Sequence, residues 1–462
     1  MKLSPAEIVA ALGAEVVAEG APEPPRRATI DSGDAGPGDL FFGLRGANRD
    51  GGEFAAAAIE AGAWGVVVGP SFKTRFSPHS EKKGVLSEGS GGGAWVFVTD
   101  DPLAAMQALA RAWRRALGAQ VVGVTGSVGK TSVKDIARAL LPGKVHASPE
   151  NFNTEIGLPL TVLEAPEDAD VLVLEMAMRG RGQIAELAAI AEPEVAVITN
   201  VGPVHVELLG SVEAIAAAKA EILDDLPPGG TAVAPVEAGV LEPHLEPIAE
   251  QLRFGPGGDV EATEVKVADG VTQALVATPI GDQRFHFPFT EAHNLTNALA
   301  AIAAGVALGA DLAEMADRAA DIGFSRFRGE RLQLPGGIVL VNDCYNANPV
   351  SMRAALDHLA TLKAERTVAV LGEMGELGPD SAAYHREVGE HARAAGIDFL
   401  VGVGAPARDY DPDELVADPG EAAELLAARL EPGDAVLVKG SRSAGLEAVA
   451  EQLPELVEVG DG

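Results

Sequence analysis

The residues best suited to chemistry are Gly126, Ser127, Gly129, Lys130, Thr131 and Ser132, which follow the apolar run 121–124 and precede a helical pattern from Val133. Glycines let backbone amides close around phosphate oxygens, a lysine here neutralises charge on the β- and γ-phosphates, and the following hydroxyl can sit on magnesium. Residues 123–131 therefore read as a nucleotide loop. Its spacing is a variant: the glycine expected five residues before Gly129 would fall at Val124, whereas glycines occur at Gly123 and Gly126. Glu175 ends the apolar run 171–174, where a carboxylate can ligate magnesium through oxygen or serve as a solvated or capping group. His205 follows the run 195–199, at a strand end where α/β sheets gather ligands; a lone histidine there is as readily structural. Ser211 suits an N-cap, and the helix after it aligns Ile215, Lys219 and Ile222 on one face. Lys219 thus points inward, so its ammonium must pair, snorkel or change chemistry. One such change is carbamylation by CO2, which makes an anion able to hold magnesium.

To position these groups the chain offers an α/β scaffold. Short β-rich runs at 121–124, 171–174, 195–199, 338–341, 368–371, 399–403 and 435–438 are each followed by a turn and an Ala-rich helical pattern, as in parallel sheets. Before residue 100 the segments 39–44 and 64–68 alternate with Gly-rich turns, which predicts a small α/β domain, and the polar Gly/Ser-rich stretch 71–93 reads as a loop or insertion. A second boundary is expected near 323–330, after helical segments at 294–308 and 311–320. At 462 residues the chain exceeds one hydrophobic core, and the divisions expected are 1–99, 100–322 and 323–462.

Composition narrows the setting. A net charge of −33 argues against nucleic acid or an anionic membrane as partner, and suits either a salt-adapted or simply an acidic enzyme. There is no signal-peptide pattern at the N-terminus and no apolar run long enough to span a bilayer. The single cysteine, Cys344, excludes an internal disulfide framework. A cytoplasmic protein is expected.

Read together, GVTGSVGKT at 123–131, NFNTEIGLP at 151–159, EMAMR at 175–179, TN at 199–200 with His205 and AKAEI at 218–222 closely resemble the Mur ligases. HN at 293–294 with Asn297, NDCYNANPVSM at 342–352, VLGEMGELG at 370–378 and KGSR at 439–442 extend the resemblance over nearly the whole chain. The loop form is shared with sister ligases and folylpolyglutamate synthases; the segments at 345–352 and 371–378 are particular to the branch that adds D-alanyl-D-alanine to a UDP-N-acetylmuramoyl-tripeptide.

The resemblance implies a small N-terminal UDP-substrate-binding domain, a central ATP-binding domain and a C-terminal Rossmann-like ligase domain. It implies an ATP-dependent ligase working through an acyl phosphate in peptidoglycan synthesis, a monomer whose partners are UDP-MurNAc-tripeptide and D-Ala-D-Ala. Lys130 and the loop amides would hold ATP, with Thr131, Glu175, His205 and a carbamylated Lys219 around Mg2+. Asn294 and Asn297 match adenine or ribose contacts, and Asp343, Tyr345 and Asn346 would face the nucleotide from the third domain. Either Arg328 or Arg331 matches the arginine that reaches the γ-phosphate. Ser32, Asn153, Thr154, Arg179, Asn348 and Lys439 match substrate positions. Three departures stand out: Asp31-Ser32-Gly33 lacks the arginine usual in the uridine segment, Asp50-Gly51-Gly52-Glu53-Phe54 stands where Asp-Gly-His-Asp-Phe is usual, and Thr154 replaces a common asparagine. Another amide ligase, of folate or cyanophycin, or a regulatory ATP-binding protein would fit the loop, but not the segments at 345–352 and 371–378 or the joint presence of Lys130, Thr131, Glu175, His205 and Lys219.

Overall fold

The computed structural model describes residues 1–76, 93–204 and 206–460. The first sheet has the strand order Glu15–Ala18, Trp95–Val98, Gly65–Val68, Asp39–Phe42, Arg27–Thr29. Only the pairing of Glu15–Ala18 is antiparallel. Asp39–Phe42 and Gly65–Val68 are buried at every position, as parallel strands covered on both faces must be. The stretch expected as a loop over 71–93 begins as a 3-10 helix, Pro70–Arg75; its residues 77–92 lie outside those described.

Helix Pro102–Leu117 starts where Asp101 accepts hydrogen bonds from the amides of Leu103 and Ala104. It buries Met106, Leu109 and Trp113 in one continuous core that runs from Leu3, Ile8 and Trp95 to Leu158, Leu172 and Ile184. The first sheet is thereby joined to the second by apolar packing, not by a free linker.

In the second sheet six parallel strands are ordered Glu250–Phe254, Thr231–Pro235, Val195–Ile198, Gln120–Thr125, Val171–Glu175, Val145–Ala147. Gln120–Thr125 lies between strands that come later in the chain, so a crevice forms at its C-terminal end. Helix Lys130–Leu140 packs against helix Ala292–Ala307 through Val133, Ile136 and Leu140 on one side and Ala298 and Ile302 on the other. The α/β reading did not anticipate the small antiparallel sheet Glu261–Ala268, Val271–Thr278, Gly281–Phe287. It adheres through Ala274, Val276, Phe285 and Phe287 while Glu261–Ala268 stays largely exposed, a half-buried alternation weaker than that of the parallel strands.

The third sheet runs Glu330–Leu334, Ile338–Asn342, Asp434–Lys439, Arg366–Leu371, Phe399–Val403, Glu414–Val416, parallel except for the first pair. Separate apolar clusters cover its two faces. Between the second and third sheets the chain passes through Phe327 at φ 63° and Gly329 at φ 69°. No helix among the described residues is long and apolar enough to cross a membrane.

Candidate functional site

The phosphate loop is shorter than its sequence outline. Gly123 belongs to the strand Gln120–Thr125, and a Cβ there would lie 3.0 Å from Ile222 and 3.1 Å from Met176, so this glycine serves packing. Gly126 (φ 151°) and Gly129 (φ 82°) make the loop itself. A Cβ on Gly126 would come within 1.9 Å of Thr199 Oγ1, and one on Gly129 within 2.5 Å of Asn297 Oδ1. The loop is clasped from the neighbouring strand end: Ser127 N donates to Asn200 O at 3.1 Å, Val128 N to Asn200 Oδ1 at 3.0 Å, and Gly202 N to Ser127 Oγ at 2.9 Å. Helix Lys130–Leu140 then starts with no side-chain cap, which leaves its first amides, with the positive end of the helix dipole, for an anion.

Two lysines converge on this loop. Lys130 Nζ donates to Gly126 O at 2.9 Å and Lys219 Nζ to the same carbonyl at 2.8 Å. Burial pushes the Lys130 ammonium below its ordinary value; Glu175 opposes that shift and Arg328 adds to it. Burial, reinforced by the charge of Lys130, pushes Lys219 well below the ordinary lysine value. Lys219 is 2% exposed, and Ser211 caps its helix by accepting from Ala214 N at 3.2 Å. The inward orientation therefore follows from the helix phase, and the amine is held closer to its neutral, nucleophilic form.

Beside the lysines, Glu175 is buried at the end of its strand. It accepts from Thr131 Oγ1 at 2.8 Å and from Asn153 Nδ2 at 2.9 Å. Hydroxyl and carboxylate oxygens are the hard donors that Mg2+ takes, so the set fits that ion. Among the described residues no group of three His, Cys, Asp or Glu side chains converges as a metal cluster. His205 lies outside the described residues, and Ser132 is half-buried one residue past Thr131.

Beside Gly129 of the loop, Asn297 Nδ2 donates to Asn294 Oδ1 at 3.4 Å, and Asn294 Nδ2 reaches Glu291 Oε2 at 3.5 Å. From the segment just before the C-terminal sheet, Arg328 lies with its guanidinium 4.1 Å over the Tyr345 ring, and its Nε is buried without a partner among the described residues. Arg331 is differently engaged: it donates to Thr290 Oγ1 and, at 2.8 Å, to Glu291 Oε1, and lies 2.7 Å from His358 Nε2. Asp343 pairs with buried Lys439 at 2.6 Å, and Lys439 also donates to Asn346 O at 3.0 Å. Asn346 Oδ1 accepts from Ala347 N at 2.9 Å. Asn348 is the N-cap of helix Pro349–Thr361, accepting from Val350 N and Ser351 N.

Other expected positions stand apart from the loop. Ser32 is half-buried in the turn where Asp31 Oδ1 accepts from Gly33 N at 2.8 Å. Thr154 is exposed, and exposed Arg179 lies 3.7 Å from Glu376 of the C-terminal unit. Sequence reasoning passed over Ser148, Glu291 and His358, which touch Glu175, Asn294 and Arg331, and over Lys134, Asp135 and Ser325, which connect to them through Ser148. One signal was available: Lys134 and Asp135 stand four residues after Lys130 and Thr131, the spacing of a shared helical face.

Comparison with known proteins gives the family. Residues 124–305 match the Mur ligase middle domain, and residues 327–442 match the Mur ligase, glutamate ligase domain. The chain is similar, at 38% identity over 90% of its length and 89% of the relative's, to a UDP-N-acetylmuramoyl-tripeptide--D-alanyl-D-alanine ligase of Synechocystis sp.. Among solved structures it resembles MurF from Acinetobacter baumannii (TM-score 0.85, 27% identity, 98% of this chain and 99% of that one). It also resembles MurF ligase from Thermotoga maritima in complex with ADP (TM-score 0.81, 30% identity, 94% and 98% covered).

Proposed function

The chain belongs to the Mur ligase family, and from that membership we propose how its residues divide the work of joining D-alanyl-D-alanine to UDP-N-acetylmuramoyl-tripeptide with cleavage of ATP. The terminal carboxylate of the tripeptide attacks the γ-phosphorus of ATP and displaces ADP, forming an acyl phosphate. The amine of the dipeptide then adds to the acyl carbon, loses a proton, and expels inorganic phosphate as the amide forms.

The difficulty is electrostatic, since a carboxylate must approach a polyanion. Lys130, the free amides at the start of its helix and Arg328 answer it from three directions. Arg328 is assigned to the γ-phosphate because its Nε is unpartnered while Arg331 is occupied by Glu291. Thr131, Glu175 and, as its carbamate, Lys219 would hold Mg2+, a set to which the family resemblance adds His205; bound there, the ion would neutralise phosphate charge. Lys219 suits carbamylation because burial favours its neutral amine: the amine adds CO2 and releases a proton. Asn294 and Asn297 receive the nucleoside, and Asp343, Tyr345 and Asn346 close over it. Asn153, Thr154 and Arg179 border the peptide path, and Ser32 lies toward the uridine end. Divisions at about residues 99 and 322 separate the UDP-binding, ATP-binding and closing units; the nucleotide substrates favour a cytoplasmic enzyme, and the working unit proposed is a monomer.

The observation that carries this reading is the meeting of Thr131, Glu175, Lys130 and Lys219 at one loop end. Purified protein is expected to release ADP and phosphate only with ATP, Mg2+, UDP-MurNAc-tripeptide and D-alanyl-D-alanine all present. Equal turnover with D-alanine or D-glutamate in place of the dipeptide would overturn it.

A further inference from the structure

One turn past its phosphate-facing residues, the loop helix carries a buried charged pair. Lys134 and Asp135 are 2% and 3% exposed, with Lys134 Nζ 3.0 Å from Asp135 Oδ1. Their other partners lie in different segments of the chain. Lys134 Nζ donates to Ser148 O at 2.9 Å, and Ser148 Oγ accepts from Glu175 N at 3.1 Å. Asp135 Oδ2 accepts from both the amide and the hydroxyl of Ser325, each at 2.8 Å. A continuous polar chain thus runs from Glu175 through Ser148, Lys134 and Asp135 to Ser325.

Ser325 opens the segment that joins the middle and C-terminal units, and Arg328 stands three residues later. Between them Phe327 has φ 63°, a left-handed conformation that bulky residues adopt only when the surroundings impose it. The imposition is visible from the C-terminal side: Phe327 O accepts from Tyr345 N at 3.2 Å, and the Arg442 guanidinium sits 5.4 Å from the ring centroid. Asp135 supplies the anchor from the middle unit. Stability alone is a weak reason for such a pair, because burying two charges costs desolvation that apolar side chains of similar size avoid. A purely structural role for Lys134 at the strand Val145–Ala147 would account for Ser148, but it leaves the two bonds to Ser325 unexplained.

We infer that Asp135, braced by Lys134, is a positioning residue: it pins the interunit segment at Ser325 so that Arg328 faces the phosphate loop in register with Glu175. The inference rests on the ligase reading above and deepens it. It makes closure of the C-terminal unit depend on the helix that receives the nucleotide.

The test uses the full-length enzyme in three forms, wild type, Ser325→Ala and Asp135→Asn, with fluorescent labels on the middle and C-terminal units. Ser325→Ala removes one hinge bond and leaves the buried pair intact, so it guards against misfolding of Asp135→Asn. It is expected to lower kcat about fivefold, the loss of one ordinary hydrogen bond acting on the closed state. In the same variant the Kd for a non-hydrolysable ATP analogue and the melting temperature should stay near wild type, while nucleotide-induced closure is reduced. Wild-type kcat and closure in both variants would overturn the inference, as would loss of analogue affinity and thermal stability together with unchanged closure. Absence of dipeptide-dependent ADP release from wild type would count against the assigned reaction alone, since the closure measurement still decides the hinge role.

Discussion

Two ammonium groups on one carbonyl oxygen form an arrangement that water would disperse. Here Lys130 and Lys219 both donate to Gly126 O, and burial disfavours both charged forms, with repulsion from Lys130 adding to it for Lys219 and repulsion from Arg328 for Lys130. Phosphate oxygens entering the loop would relieve that repulsion for Lys130, and addition of CO2 would relieve it for Lys219 by reversing its charge. Truncating Lys219 should therefore remove more than a side chain. Lys219→Ala is expected to lose about a hundredfold or more in kcat, the scale of one lost electrostatic contact in a water-excluded site. Short carboxylic acids should restore part of the rate by occupying the vacated position. A fully active variant, or a folded one that no carboxylic acid rescues, would count against the carbamate.

At the level of elements, the site depends on how helices begin. The loop helix leaves its first turn uncapped for a ligand, whereas helix Pro349–Thr361 is closed by a reciprocal capping box between Asn348 and Ser351. Resemblance groups Asn348 with substrate contacts, and its side-chain oxygen is engaged by two amides of its own helix. Asn348→Ala should accordingly lower folding stability by about 1 kcal/mol, as loss of an N-cap usually does, read as a shift in urea midpoint. Its KM for the tripeptide should stay within about twofold of wild type. A large rise in KM with unchanged stability would instead support the substrate role.

Across the whole molecule, the middle and C-terminal units are held together by a second contact beyond the hinge. Glu291, at the start of the helix bearing Asn294 and Asn297, receives Arg331 at 2.8 Å and lies 3.2 Å from His358 Nε2. Burial raises the Glu291 carboxyl, but the His358 contact and the charge of Arg331 outweigh it and leave the group well below the ordinary carboxylate range. The sign follows: a carboxyl depressed in the folded state adds stability that is fully present above its unfolded value near 4.5 and is lost as pH falls toward the folded value. Glu291→Gln should therefore be less stable than wild type at neutral pH, and that gap should narrow progressively below about pH 4.5. Melting curves taken across this range check it; a gap that widens on acidification would rule out the clasp.

What could be read from the chain alone was whatever depends on neighbours in sequence. The loop and its lysine, the seven core strand runs, the Ser211 cap and the inward phase of Lys219 all rest on residues within a turn or a strand of one another. Motif resemblance added the ligase chemistry. The different engagements of Arg328 and Arg331, the capping of Asn348 and the chain from Glu175 to Ser325 were not legible. Arg331 meets residues 40 positions before it and 27 after it, and Asp135 meets Ser325 across 190. Periodicity describes which face of an element is apolar, but not which polar groups from another unit will meet that face. Such partners are chosen when the units pack, where an unpaired buried charge is too costly to leave and each must find its counterpart in space.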